Sequence, residues 1–326
     1  MTRVFLNGFG RIGRTILRAY LQAPDHWPGL EIVGINDIAT PEICAYLFEY
    51  DSVFGPYRGR VALQDGAMVV DGRRVPMHRV ADLSGLNLNG VDLVMECTGR
   101  ADGAEVAGRG LRAGAGRVLI SGPSAAAEFT VVLGANEAGV QPGHRVLSNA
   151  SCTTNALAPL LALLDRTWGI VTGSMTTIHC YTGSQPTVDA PAADYARSRA
   201  AALSMVPTST SAQRLVDQVL PHLAGRVQAS AVRVPVASVS AVDLAVLTAR
   251  PVTADAANTV FAAERGVIGA TSRPLVSTDL RARPESLVMA LPETRVTQGG
   301  MLRVFGWYDN EWGFSCRMLD MAVRLG

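Results

Sequence analysis

Apolar positions along this chain follow two rhythms, and the change falls near residue 150. In the first part, short apolar runs alternate with stretches of helical spacing. Arg3 to Leu6 reads as a buried strand, and apolar residues then return at Ile12, Ile16, Leu17, Tyr20 and Leu21, the spacing of a helix. "EIVGIND" (31–37), "VDLVMECTG" (91–99) and "RVLISGP" (117–123) read as further buried strands, each ending in small or turn residues. Strands alternating with helical patterns predict βαβ units and a parallel sheet. After Cys152 the texture differs. Leu157, Leu160, Leu161 and Leu164 form one amphipathic helical stripe. Pro159 is expected to kink that helix by removing the bond to the Asn155 carbonyl. "SMTTIHCYT" and "ASAVRVPVASVSAVDLAVLTARPV" alternate with period two, predicting long strands of a mixed or antiparallel sheet. Between them lies a long segment of little periodicity (183–213), of the kind usually functional or interfacial. The closing "EWGFSCRMLDMAVRL" is helical and is expected to return to the first domain.

These patterns predict an α/β chain of two domains. Residues 1–150, completed by a C-terminal helix at 313–326, form the first; residues 151–312 form an α+β domain. A length of 326 residues agrees, being too long for one ordinary core. Net charge is +1 with basic residues scattered, which gives no electrostatic case for nucleic acid or an anionic membrane. No apolar run approaches the roughly 20 residues that span a bilayer. The N-terminus enters a strand pattern at once, with no room for a signal peptide. Five dispersed cysteines, without CxxC or Cys/His metal spacing, predict reduced thiols in a cytoplasm and no metal centre.

Two constellations carry chemistry. Gly8, Gly10 and Gly13 stand as GxGxxG between a strand and a helix, with Asp37 ending the next strand. In a Rossmann unit, Gly8 permits the tight turn, Gly10 admits a pyrophosphate to the backbone, and Gly13 lets helix pack on strand. Asp37 suits the ribose hydroxyls and repels a 2′-phosphate, favouring NAD. The second constellation centres on Cys152. A small buried core thiol is one reading. The other is a nucleophile at a helix start, where Ser151, Thr153, Thr154 and Asn155 surround it and the helix dipole is expected to lower its pKa. His179, on a predicted strand, is a candidate activating partner. Cys180 beside it is expected on the opposite strand face, in a structural role. Arg233 lies among β-branched residues in "AVRVPV", where an unpaired charge would be costly. With Arg197, Arg199 and the hydroxyls of "PTSTS", it points to a bound anion, against the alternative of a solvated turn.

The stretches "NGFGRIGR", "YDSVFG", "SNASCTTN", "TTIHCYT", "RAAALSMVPTST", "VRVPVASVSAVDL" and "WYDNEWGFS" together closely resemble the phosphorylating glyceraldehyde-3-phosphate dehydrogenases, over essentially the whole chain in order. That resemblance implies an NAD-dependent enzyme of glyceraldehyde 3-phosphate and inorganic phosphate. Cys152 would be the nucleophile and His179 its base. Asn7, Gly8, Gly10, Arg11, Ile12, Gly13, Asp37, Ser121 and Asn310 would bind the cofactor, Asn310 through the nicotinamide carboxamide. Thr182 and Arg233 would hold the substrate phosphate; Ser151, Thr153, Thr210, Ser211 and Arg197 would form or border the inorganic-phosphate site. The long central segment would reach a neighbouring subunit's cofactor in a homotetramer. Some positions depart from the family pattern: Ala156 where a second cysteine is usual, Ser211 in place of glycine, Phe54 in place of histidine, and Ala190 in place of leucine. The alternative within the superfamily is an erythrose-4-phosphate dehydrogenase, whose thioester is hydrolysed by water. A cysteine hydrolase would not need the glycine loop, and a silent NAD-binding regulator would not need Cys152, His179, Arg233 and Asn310.

Overall fold

Strand β1 (Thr2–Asn7) is buried through its second half and runs straight into the glycine loop that opens helix α1 (Arg11–Gln22). In the computed structural model, which describes residues 1–326, the chain then continues through β2 (Leu30–Asn36), α2 (Pro41–Glu49), β3 (Val61–Gln64), β4 (Ala67–Val70) and β5 (Arg73–His78). Next come β6 (Leu93–Glu96), the short helices α3 (Ala104–Ala107) and α4 (Arg109–Arg112), β7 (Arg117–Ile120), β8 (Phe129–Thr130) and β9 (Val146–Ser148). These strands form one sheet in the order β3-β4-β5-β2-β1-β6-β7-β9-β8. From β5 to β8 every pairing is parallel. Strand β1 lies between β2 and β6, so the chain reverses its order of addition there and opens a crevice at the strands' carboxyl ends, where ligands bind in such sheets.

The antiparallel ribbon β3–β5 is not part of the sequence reading. Its two turns are Asp65-Gly66 and Asp71-Gly72, all four residues at positive φ, the pattern that closes tight hairpins. A core of Phe5, Leu83, Val94, Val118 and Ile120 with their neighbours seals one face of the sheet.

The second part begins with α5 (Cys152–Trp168), followed by β10 (Ile170–Cys180), β11 (Val206–Thr208), α6 (Ala212–Val219), β12 (Val227–Val234) and β13 (Ser240–Thr248). It closes with α7 (Ala254–Ala263), β14 (Ile268–Thr271), β15 (Leu287–Ala290), β16 (Arg295–Val296), β17 (Met301–Tyr308) and α8 (Trp312–Leu325). The sheet order is β11-β12-β10-β13-β17-β15-β14, with β16 beside β17; it is mixed, since β10 and β12 run parallel while β13 and β17 are antiparallel to their neighbours. The expected apolar stripe on α5 is buried, and the helix runs on through Pro159.

The chain divides into two compact units. The first is Met1–Val131, Ala138–Ala150 and Ser315–Gly326; the second is Val132–Glu137 and Ser151–Phe314. Helix α8 thus gives its last turns to the first unit, where Trp27 Nε1 donates to Asp320 at 2.7 Å. No helix is long and apolar enough to cross a membrane.

Candidate active site

In the first unit, each loop glycine has a separate reason to be there. Gly8 sits at φ +92°, and a Cβ on it would lie 2.7 Å from the backbone of Cys97. A Cβ on Gly13 would lie 2.2 Å from the Gly8 carbonyl, so only glycine lets α1 approach β1. A Cβ on Gly10 would meet nothing within 4 Å: it faces open space at the start of a helix with no side-chain cap. That is room for an anionic group on unpaired N–H donors. A cleft of about 250 Å³ opens there, lined by Gly8, Gly10, Asp37, Ile38, Thr98 and Arg109. These residues fit a dinucleotide.

Asp37 accepts from the Phe9 N–H at 2.6 Å and the Ala39 N–H at 2.8 Å, which ties the acidic residue to the glycine loop. Asn7 also lines this cleft. Its amide donates to the buried Glu96 at 2.5 Å and accepts from Asn36 at 2.8 Å, so its side chain braces the floor of the cleft. The Arg11 guanidinium pairs with Asp51 at 2.5 Å and lies over Phe54, leaving its backbone N–H, with that of Ile12, in the first helical turn. Ser121, just past β7, donates its N–H to the Glu96 carbonyl.

The second unit holds the candidate nucleophile. Ala150, at φ +56°, turns the chain sharply into α5. The Ser151 hydroxyl caps the helix, accepting from the Thr154 N–H at 3.2 Å. Cys152 is therefore the first residue of the helix, and its Sγ lies 3.6 Å from His179 Nε2. Strands β10 and β12 pair in register with His179 opposite Arg233, which places both side chains on one face. Arg233 Nη1 lies 2.6 Å from His179 Nδ1 and donates to the Cys180 carbonyl at 3.0 Å. The same carbonyl lies 2.7 Å from His179 Nδ1. Nε2 is the ring nitrogen that faces the thiol.

Electrostatics correct one expectation. Burial pushes the Cys152 thiol above its ordinary value, and the Arg233 charge only partly pulls it back. His179, 4% exposed, is pushed down to about 4, first by burial and second by Arg233. For the thiol, the direction is opposite to the lowering expected from the helix start. Desolvation of the charged form is the largest cause.

Sequence reasoning missed Tyr308. Its buried hydroxyl lies 2.9 Å from Thr153 Oγ1 and 2.8 Å from Thr177 Oγ1, joining the first turn of α5 to β10 and β17. Its ring meets that of His179 edge-on at 6.0 Å. Thr153 is therefore a bracing residue through its side chain. Among the other candidate anion ligands, Arg197 donates to Thr208 at 2.7 Å and to the Ser209 carbonyl at 3.2 Å. Strand β11 pairs Val206 with Arg233 and Thr208 with Ala231, so the loop from Thr208 to Ser211 leaves the strand two residues along β12 from that arginine. Thr210 and Ser211 open α6, the Thr210 hydroxyl accepting from the Ala212 N–H. Ser211 has φ −63°, a conformation any residue adopts, so the usual glycine is not required there. Thr182 is paired with Ser184 just beyond β10.

Comparison with known proteins gives the family. Residues 2–104 match the model described as glyceraldehyde 3-phosphate dehydrogenase, NAD binding domain, and residues 151–310 match the C-terminal domain of the same family. The chain belongs to the glyceraldehyde 3-phosphate dehydrogenase family. Relatives bearing that enzyme's name include one from Pseudomonas aeruginosa, 45% identical, and one from Cereibacter sphaeroides, 44% identical, each aligned over 99% of this chain and 98% of its own. One from Geobacillus stearothermophilus is 41% identical, over the same shares. The matched C-terminal domain here carries His179 and Arg233 on one sheet, Cys152 at the start of α5 and Asn310 in the turn beyond β17.

Proposed function

We propose that this chain oxidises glyceraldehyde 3-phosphate to 1,3-bisphosphoglycerate, using NAD and inorganic phosphate. The observation that carries the reading is the Cys152–His179–Arg233 row, with a ring nitrogen at 3.6 Å from the thiol and a cation behind it. The Cys152 thiol gives its proton to His179 Nε2 and its sulfur attacks the aldehyde carbon, forming a thiohemiacetal. The Cys152 backbone N–H and protonated His179 stabilise the oxyanion, and His179 then gives it the proton, leaving a hydroxyl and a neutral ring. His179 next takes the hydroxyl proton of that adduct. NAD, held by the Gly8–Gly13 loop and Asp37 with Asn310 at the nicotinamide, supplies when bound the hydride acceptor that makes the adduct a thioester on Cys152. Inorganic phosphate, bordered by Ser151, Thr153, Arg197, Thr210 and Ser211, attacks that thioester and releases an acyl phosphate. Thr182 and Arg233 hold the substrate's own phosphate.

A homotetramer in a cytoplasm completes the proposal. It is supported by the resemblance and by the central segment, which leaves Val188, Tyr195, Leu203 and Met205 largely exposed, Tyr195 at 94%. Nothing in the geometry favours the erythrose-4-phosphate alternative. The test is NAD reduction with either aldehyde, with and without inorganic phosphate. Strict phosphate dependence with glyceraldehyde 3-phosphate is expected. Turnover that is indifferent to phosphate would overturn the phosphorylating reading.

A further inference from the structure

Strand β10 presents His179 to one face and Cys180 to the other. Cys180 is 0% exposed; its N–H donates to Ser240 at 3.1 Å, and its thiol donates to Asn310 Oδ1, also at 3.1 Å. Asn310 lies two residues beyond β17 and is 8% exposed. Its backbone is held by its neighbour: the Asp309 carboxylate accepts from the N–H groups of Ala282, Glu311 and Trp312. The side chain is a separate matter, because the two ends of a carboxamide are alike in shape and opposite in hydrogen bonding. Within its unit the Asn310 amide has no hydrogen bond except the one from Cys180. Burial pushes the Cys180 thiol up to about 12, so it remains a protonated donor at any ordinary pH.

We propose that Cys180 is a positioning residue for the cofactor: its S–H fixes Asn310 Oδ1 inward and so presents the Asn310 NH2 group outward as a donor. A donor suits the carbonyl oxygen of a nicotinamide carboxamide, whereas a flipped amide would present an acceptor to it. The inference rests on the proposed contact between Asn310 and the nicotinamide, and assigns the orientation of that contact to a thiol one residue from the catalytic histidine. The sequence reading of Cys180 as purely structural is thereby extended.

The experiment compares the unmodified protein with Cys180→Ala, Cys180→Ser and Asn310→Ala, by calorimetric binding of NAD and of ADP-ribose, which lacks the nicotinamide. Infrared spectra of the S–H stretch are recorded without cofactor. Loss of one ordinary hydrogen bond predicts that Cys180→Ala binds NAD about three- to tenfold more weakly, with ADP-ribose unchanged. Cys180→Ser, whose hydroxyl can donate in the same place, restores NAD affinity. A low-frequency S–H band is lost in Cys180→Ala and moves to higher frequency in Asn310→Ala. Unchanged NAD affinity in Cys180→Ala, or an S–H band insensitive to Asn310→Ala, overturns the proposal. If Asn310→Ala weakens NAD binding while Cys180→Ala does not, only the positioning role fails. If neither variant changes it, the Asn310 contact fails as well. Equal weakening of NAD and ADP-ribose in both Cys180 variants would show a packing role and also overturn the proposal.

Discussion

Histidine 179 offers a quantitative check on the electrostatics of the site. Its pKa in the folded chain is lowered to about 4, against about 6.5 for an unperturbed imidazole. Folding therefore favours the neutral ring. The stability this contributes is fully present above pH 6.5, declines as pH falls from 6.5 towards 4, and is gone below about 4, where both states are protonated. The full span corresponds to about 3 kcal/mol. Direct observation comes from NMR titration of the protein labelled with carbon-13 in its five histidines, with His179→Gln identifying the resonance. The His179 midpoint is expected at about 4. In parallel, urea unfolding followed from pH 7 to pH 4 should show the unmodified protein losing stability more steeply than His179→Gln. Carboxylates that titrate in this range are common to both proteins and cancel in the comparison. A midpoint at or above 6.5, or equal pH slopes for the two proteins, would refute the claim that burial and Arg233 hold this ring neutral.

Other consequences are more local. Tyr308→Phe removes the hydroxyl shared by Thr153 and Thr177, and should cost about 2 kcal/mol in chemical unfolding, by the usual worth of two buried hydrogen bonds. Gly13→Ala drives a Cβ to 2.2 Å from the Gly8 carbonyl and should lower the melting temperature sharply. Gly10→Val instead projects into open space, so it should melt normally yet lose NAD binding in calorimetry. Arg233→Ala removes a cation 2.6 Å from His179 Nδ1, so the His179 midpoint should rise towards its ordinary value while KM for glyceraldehyde 3-phosphate increases. An unmoved midpoint would show that burial alone sets it.

Periodicity and punctuation made much of this architecture legible. Strands that are buried on both faces, such as β6 and β7, read as continuous apolar runs, and the α5 stripe is plain in the leucine spacing. The ribbon β3–β5 escaped because its strands are short and its outer two, β3 and β5, are largely exposed, although the paired Asp-Gly turns were a usable signal. For the site, Cys152 and His179 were identifiable as chemical types. Their approach depends on register instead: Arg233 meets His179 because β12 pairs with β10 across 54 residues of chain. Nothing local in "TTIHCYT" reveals that Cys180 will donate to a carboxamide 130 residues away. Tyr308 was hidden for the same reason, since its two threonine partners lie on separate elements. The protonation state was the least legible property. Helix position argued for a lowered thiol pKa, and only the folded surroundings show how much solvent the pair gives up.

The proposed reaction rests on a covalent adduct at one sulfur among five cysteines. Incubation with glyceraldehyde 3-phosphate and NAD in the absence of inorganic phosphate, followed by acid quench and peptide mass spectrometry, tests this directly. The peptide containing Cys152 is predicted to gain the mass of one 3-phosphoglyceroyl group, and to lose it on addition of phosphate. An unmodified Cys152, or the acyl group on Cys44, Cys97, Cys180 or Cys316, would contradict the assignment.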